Sequence, residues 1–502
     1  MSEGAAPGYA ELVAATNYSF LRGASHPADM VAEAIALGMA GIGIADRNSV
    51  AGVVRALTGL RKLREDAAED GVELPPIKLV VGARLVFDDG TPDIIAYPTT
   101  RHGWGRLTRM LTIGNRRTTK GDCVMKLRNL LIHCEDMLLI AMASEKDEPV
   151  LRRLAEVAPG SLWLGATMPR GGSDRRRLSR LGALADRVGI PMLATNDALY
   201  ATREQRPLHD VITCIREGSN LNDAGRLLRA NGERHLKSPQ EMRRLFRTCP
   251  EAVDESAKIL ERIAFSLRDL EYEYPHEPVP EGWEPQSWLE HMVMEAAARH
   301  HPDGLPKRWR EVLDEELTLI RKCNFACYFL TVHDIVKFAR TQEPPILCQG
   351  RGSAANSLIC YLLEITSIDP IYNNLLFTRF LSEERREPPD IDVDFEHERR
   401  EEVMQYVYRR YTRRRAGIAA TVIHYRPRSA VREVGKALGL SEDVTQRLAD
   451  TTWGSWGNEM PIERFVEAGL DPELDDIARL QWIVAQLLTF PRHLSQHVGG
   501  YV

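Results

Sequence analysis

The stretch Pro388-Pro389-Asp390-Ile391-Asp392-Val393-Asp394-Phe395-Glu396 alternates carboxylates with apolar side chains. Extended backbone repeats every two residues, so Asp390, Asp392 and Asp394 share one face of a strand while Ile391, Val393 and Phe395 share the other. Aspartate is depleted in strands, and like charges on one face repel. A cation above the carboxylates answers both costs. Hard oxygen ligands suit Mg²⁺, which takes one or two carboxylates and leaves its other positions to water and substrate phosphates. Two such ions about 3.5–4 Å apart clamp the attacking and leaving oxygens of a phosphoryl transfer. The competing reading is a solvated edge strand whose charges discourage aggregation.

Upstream lies Cys348-Gln349-Gly350-Arg351-Gly352-Ser353-Ala354-Ala355-Asn356-Ser357, followed by the apolar run Leu358 to Ile365. Glycines let backbone N–H groups approach an anion, and the helix expected over the apolar run points its positive end at the same place. Arg351 adds a charged fork. The spacing fits neither G-x-x-x-x-G-K-[ST] nor G-x-G-x-x-G, which excludes the P-loop and dinucleotide fingerprints. Alone, the loop reads equally well as a tight turn with a capping serine. Followed by the aspartate strand, it supplies the phosphate side of a nucleoside triphosphate site. Arg379, Arg385 and Arg386, between the two segments, are candidates for phosphate oxygens.

The block Asn324 to Arg400 carries Tyr328-Phe329-Leu330, His333-Asp334-Ile335-Val336, the glycine loop, Ile368-Asp369-Pro370, Leu376-Phe377-Thr378-Arg379-Phe380 and the aspartate strand. In that order it resembles the palm of a bacterial C-family DNA polymerase. Pro388 to Arg400 and Thr421 to Ala430 are most similar to the error-prone, translesion branch rather than to the replicative polymerase III alpha subunit. The resemblance implies templated nucleotidyl transfer by a two-metal mechanism. It makes Asp392 and Asp394 the catalytic pair that ligates two Mg²⁺ ions, with Asp390 as a neighbour. Arg351, Gly352 and Ser353 then contact the incoming triphosphate, with Arg385 as a further nucleotide-binding candidate. Primer-template DNA and deoxynucleoside triphosphates are the implied partners.

At 502 residues the chain has room for about three domains, each with its own core. Apolar residues at 44% and charged residues at 27% are those of an ordinary soluble protein. Residues 1–10 lack a basic, apolar leader, and no run approaches the roughly 18 apolar residues of a membrane span. A cytoplasmic protein without a membrane partner is expected. The eight cysteines form no zinc-ligand cluster, and Cys323 and Cys327 read as buried thiols at helical spacing.

Residues 9 to about 260 alternate apolar strands (Ala40–Ala45, Ile77–Val81, Pro191–Ala194) with helices (Pro27–Leu37, Val50–Leu63), which predicts an α/β domain round a largely parallel sheet. Ala10-Glu11-Leu12 and Thr16-Asn17-Tyr18-Ser19 resemble the opening of a polymerase-and-histidinol-phosphatase domain, a distorted α/β barrel that precedes the palm in C-family polymerases. Active members of that superfamily are metal-dependent phosphoesterases, which supplies a rival function. Here Val13 and Ala15 stand where the first histidines belong, Asp46-Arg47 replaces an Asp-His pair, Arg84 follows Gly82, and Leu199 stands near Asn196-Asp197. Imidazoles are lost and arginines gained, so a metal-free scaffold is expected. Asp46, Asp197 and His209 read as relics or as ordinary surface and capping groups.

The resemblance divides the chain into this domain (1–260), a first palm segment (261–424), a helical thumb (425–490) and the start of a returning palm segment (491–502). Between Arg399 and Lys436 ten arginines and one lysine face three glutamates, a net of +8 in a chain of net −6. Arg413, Arg414 and Arg415, then Arg426 and Arg428, are the candidates for a primer-template phosphate backbone; a solvated helical face is the bland alternative. In the family a third catalytic carboxylate, the fingers and the segments for a sliding clamp and other translesion proteins follow residue 502, so the sequence reads as the N-terminal half of a longer polymerase. The alternatives are a DNA- or nucleotide-binding fragment without turnover and, third, a phosphoesterase in the first domain.

Overall fold

The computed structural model describes residues 8–119, 121–270, 279–375, 391–452 and 460–501. Leu376 to Asp390, with Arg379, Arg385 and Arg386, lie outside them. The chain divides into two compact units, Met1–Leu270 with Ala420–Ser495 and Glu271–Ala419 with Gln496–Val502.

In the first unit seven strands follow one another in sequence order: β1 (Ala10–Ala14), β2 (Gly41–Arg47), β3 (Lys78–Leu85), β4 (Ile94–Pro98), β5 (Met137–Ala141), β6 (Leu162–Ala166) and β7 (Met192–Ala194). β1 to β3 pair in parallel, as do β5 to β7; β4 runs antiparallel to both of its neighbours. The expected largely parallel sheet is therefore present with one reversed strand. Its cause is the short link from Leu85 to Ile94, which holds Asp88-Asp89-Gly90 and no helix, whereas a parallel crossover needs about a dozen residues or more.

Helices α1 (Pro27–Ala36), α2 (Val53–Glu69), α3 (Arg101–Asn115), α4 (Leu127–His133), α5 (Glu148–Val157) and α6 (Asp174–Val188) intervene between the strands. α1 opens at His26-Pro27 as the sequence predicts, and α2 begins at Val53 rather than Val50. The strands are buried almost throughout, which is why they read as unbroken apolar runs.

The sheet curls until its two ends meet. Glu11 on β1, fully buried, accepts hydrogen bonds from the Tyr9 hydroxyl at 2.7 Å, the Val13 amide at 2.9 Å, the Asn196 amide at 2.8 Å and the Thr195 hydroxyl. The Ala15 amide donates to the Ala198 carbonyl at 2.9 Å. These bonds complete the distorted barrel. Three further helices, α7 (Arg206–Glu217), α8 (Pro239–Leu245) and α9 (Glu251–Arg262), follow β7.

The second unit is built on α10 (Pro285–His300), α11 (Lys307–Cys323) and α12 (Ala326–Arg340). Then come β8 (Cys348–Arg351), the short α13 (Leu358–Leu362), β9 (Asp392–Phe395) and α14 (Arg400–Tyr411). Leu289, Val293, Leu313, Ile320, Phe325 and Phe329 form its core with α13. Phe325 and Phe329 are thus packing residues, and the Tyr328 hydroxyl accepts the Ile391 amide at 3.2 Å.

β10 (Ile418–His424) pairs with β11 (Pro491–Tyr501), and between them run α15 (Pro427–Leu438), α16 (Glu442–Thr451), α17 (Glu463–Glu467) and α18 (Asp475–Leu487). These four helices share one core with the first domain. Val431, Val434, Leu480 and Val484 pack in the same cluster as Leu208, Val211 and Ile212 of α7.

Candidate active site

β8 and β9 are antiparallel neighbours, with Arg351 opposite Asp392, Gly350 opposite Val393 and Gln349 opposite Asp394. The glycine loop and the aspartate strand, separated in sequence, are one piece of structure. Ile391 and Val393 pack against the helical core while Asp392 and Asp394 are exposed, which is the alternation read from the sequence. The Arg351 guanidinium forms an ion pair with the Asp394 carboxylate.

Both glycines are required where they stand. Gly350 donates to the Ile365 carbonyl at 2.7 Å, and a methyl group there would lie 2.6 Å from that oxygen. Gly352 has φ +60, which suits a residue without Cβ, and a methyl group on it would sit 3.8 Å from Asp392 Oδ2. The loop then runs through a 3-10 turn over Gly352–Asn356 into α13.

The head of α13 differs from the sequence expectation. Its N–H groups do not face open space for a triphosphate. Leu358 and Ile359 donate to the carboxylate of Glu316 at 2.8 and 3.1 Å, and the Cys360 amide donates to Ser357 Oγ at 3.1 Å. Ser357 Oγ itself donates to Glu316 at 2.8 Å. A carboxylate from α11 already occupies the positive end of the helix. Burial pushes the Glu316 carboxyl up to about 7, against the lowering effect of these donors. Sequence reading passed over Glu316, yet the signal was there: with Trp309, Leu313 and Ile320 it falls on the buried stripe of α11.

Asp392 and Asp394 fit a divalent cation. They offer two hard carboxylates, one residue apart, on the exposed face of a strand whose other face is anchored. Arg385 and Asp390, the other candidates, lie outside the described residues.

Residues 287–502 match the family model described as the Bacterial DNA polymerase III alpha NTPase domain, and residues 11–148 match the PHP domain. The chain is 52% identical over 504 residues to the error-prone DNA polymerase of Rhodopseudomonas palustris (strain BisB5), covering 99% of this chain and 44% of that protein. Against the error-prone DNA polymerase of Caulobacter vibrioides it is 51% identical over 500 residues, 99% of this chain and 45% of that one. Over nearly its whole length the chain is similar to bacterial error-prone DNA polymerases. It spans less than half the length of these curated relatives.

In the PHP domain the positions where phosphoesterases of this fold were expected to hold metal carry a different chemistry. Val13 and Ala15 are buried apolar residues. Arg84, whose β3 position pairs with Arg47 on β2, binds Asp197 and approaches Asp93 at 3.4 Å; Arg234 meets Asp197 at 2.5 Å. Burial opposes ionisation of Asp197, but Arg234 and Arg84 outweigh it and hold its pKa below the usual carboxylate range. Asp46 accepts the Thr16 amide at 2.7 Å and the Ser19 hydroxyl at 2.7 Å.

The reading of Asp46, Asp197 and His209 as surface or capping groups is corrected: all three are buried. Asp197 is an interior ion-pair partner of Arg84 and Arg234, and Asp46 is held by hydrogen bonds from Thr16 and Ser19. Two guanidinium groups on Asp197 do not fit a metal ion, and among the described residues no group of three His, Cys, Asp or Glu side chains converges as a metal cluster would.

The basic candidates fall in both units. Arg413, Arg414 and Arg415 are exposed in the turn after α14, with Arg413 stacked 4.0 Å from the Tyr408 ring centroid. Arg426 precedes α15; Arg428, Arg432 and Lys436 follow along its exposed face at one-turn intervals. A cleft of about 810 Å³ runs beside them. Among the described residues no helix is long and apolar enough to cross a membrane.

Proposed function

We propose that the chain carries out, or forms the catalytic core of, error-prone DNA synthesis: transfer of a deoxynucleoside monophosphate from a triphosphate to a primer 3′ hydroxyl under the direction of a template. The observation that carries this reading is the β8–β9 pairing, which sets the Arg351 loop against two exposed carboxylates. The named function of relatives about half identical to this chain supports it.

Asp392 and Asp394 would hold two Mg²⁺ ions. When bound, such ions acidify the attacking hydroxyl and neutralise charge on the departing pyrophosphate. Arg351, swung from Asp394 onto a phosphate oxygen, orients the triphosphate, and Gly352 admits it close to the backbone. Ser353 and Arg385 are assigned to the same nucleotide. Arg413 to Arg415, with Arg426 and Arg428, hold the primer-template backbone without reading its sequence. The PHP domain acts as a metal-free scaffold; the guanidinium groups on Asp197 argue against a phosphoesterase reading. Damage-induced translesion synthesis in the cytoplasm is the cellular setting we assign.

The test is Mg²⁺-dependent primer extension by this chain beside Asp392→Asn/Asp394→Asn, with primer-template binding followed across salt. Extension lost in the variant while DNA binding persists is the expected result. Extension that survives the double substitution would falsify the assignment, and binding without extension by the unsubstituted chain would mark it as a nucleic-acid-binding module.

A further inference from the structure

Two clefts in the first unit share Glu433, Lys436 and Arg492. The smaller, about 470 Å³, opens between α7 and α15 and has the size of a small-molecule site. Leu21, Ile215 and Ala437 give it an apolar wall. Its cations come from three elements: Arg216 from α7, Lys436 from α15 and Arg492 from β11.

Glu433 is the acidic residue lining it, and that carboxylate is already taken: Arg492 meets it at 2.6 Å and the Tyr425 hydroxyl donates to it. Arg216 is fixed in place, donating from Nη1 to the Leu21 carbonyl at 2.7 Å and from Nε to Glu217 at 2.8 Å. Lys436 makes no ion pair with a described residue. More positive charge stands close by. Arg22 lies in the same loop as Leu21, and the Arg47 amide donates to Ser19 Oγ at 3.1 Å at the start of that loop. Burial, then repulsion from Arg47 and Arg216, draws the Arg22 guanidinium down to about 10. The loop itself is strained, with Phe20 at φ 46 and Leu21 at φ 61, a left-handed conformation that non-glycine residues keep only where their surroundings impose it.

Cations that outnumber the carboxylates of the cleft, half-buried at Arg216 and exposed at Lys436 and Arg492, beside an apolar wall, are suited to an anion that carries an apolar body. We propose that this cleft binds a small organic phosphate of nucleoside monophosphate size, with its phosphate on Arg216, Lys436 and Arg492 and its body against Ile215 and Ala437. Because Arg216 belongs to the PHP domain and Lys436 to the thumb helices, the ligand fastens one to the other. The site is separate from the aspartate pair and does not depend on the polymerase reading.

The test is calorimetric titration of the whole chain with deoxyadenosine monophosphate, with inorganic phosphate and with a short single-stranded oligonucleotide. Lys436→Gln, Arg216→Gln and Arg351→Ala are compared. The monophosphate is expected to bind more tightly than either other probe, to lose about tenfold or more in affinity with each cleft substitution, and to be unaffected by Arg351→Ala. Lys436 is exposed, so its variant should fold, as circular dichroism would verify. Absence of binding, binding indifferent to both cleft substitutions, or loss only with Arg351→Ala overturns the site. Inorganic phosphate or the oligonucleotide binding as tightly overturns the assignment to a small organic ligand.

Discussion

The Leu358 amide donates to Glu316 Oε1 at 2.8 Å, so a carboxylate from α11 seats the helix that follows the glycine loop. Removing it leaves three buried donors without an acceptor. Glu316→Ala is expected to cost about 2–4 kcal/mol of stability and to speed hydrogen exchange at Leu358 and Ile359, and exchange unchanged at both amides would refute the anchoring role.

Glu316 also sets a pH dependence. Its carboxyl is raised from 4.5 to about 7, so the folded state keeps a proton that the unfolded chain releases first. Its contribution is fully present below about 4.5 and is lost as pH rises towards about 7, a fall of up to about 3 kcal/mol. Urea unfolding from pH 4.5 to 7.5 should show that fall in the wild type and not in Glu316→Gln.

His209 has the opposite sign. Burial, then Arg234, Arg216 and Arg229, hold its pKa at about 3 against an ordinary 6.5. Stability is full above about 6.5 and declines as the unfolded chain takes up a proton below it, by about 5 kcal/mol at most. His209→Gln should flatten the acid limb of the stability profile; an unchanged limb would mean that the imidazole already titrates normally.

In the barrel mouth Arg84 bridges Asp197 and Asp93. Arg84→Ala should destabilise the PHP domain by about 3 kcal/mol, because a buried carboxylate loses a partner. Lysine should rescue little, having one point charge for two carboxylates. Full recovery of the thermal midpoint in Arg84→Lys would contradict this account.

The two glycines of the loop should separate cleanly. Gly352→Ala meets only ordinary contact and a strained φ, a cost of about 1 kcal/mol. Gly350→Ala drives a methyl group into the Ile365 carbonyl and should displace β8, lowering stability and, on the proposed function, abolishing triphosphate binding. Nucleotide titration of both variants checks the order.

What the sequence made legible follows from periodicity. The exposed aspartates and packed Ile391 and Val393 are a period-2 pattern, and both glycines stand where the backbone demands them. Register across the Arg351–Asp392 pair was not legible, since it depends on how a strand returns after a long excursion. Glu316 was missed because a charged residue on an apolar stripe has no local sign of the helix head it anchors, which lies some forty residues on. Asp197 was placed at the surface because the arginines that bury it come from β3 and from the loop before α8, far apart in the chain. The shared core of α7 and α15 was hidden for the same reason: both helices are amphipathic, and nothing local names the partner of either apolar face.

The Glu11 bonds to Thr195 and Asn196 have a consequence for synthesis on the ribosome. β1 is made well before β7, but two of the four donors to its carboxylate, the Thr195 hydroxyl and the Asn196 amide, arrive only when β7 has emerged, and the apolar face of α7 waits longer still, for Val431 and Leu480. Contacts of such sequence separation form slowly and leave apolar surface open while translation proceeds. β1 is therefore made early and finished late, and the interval before α15 appears is when chaperones have most reason to hold it.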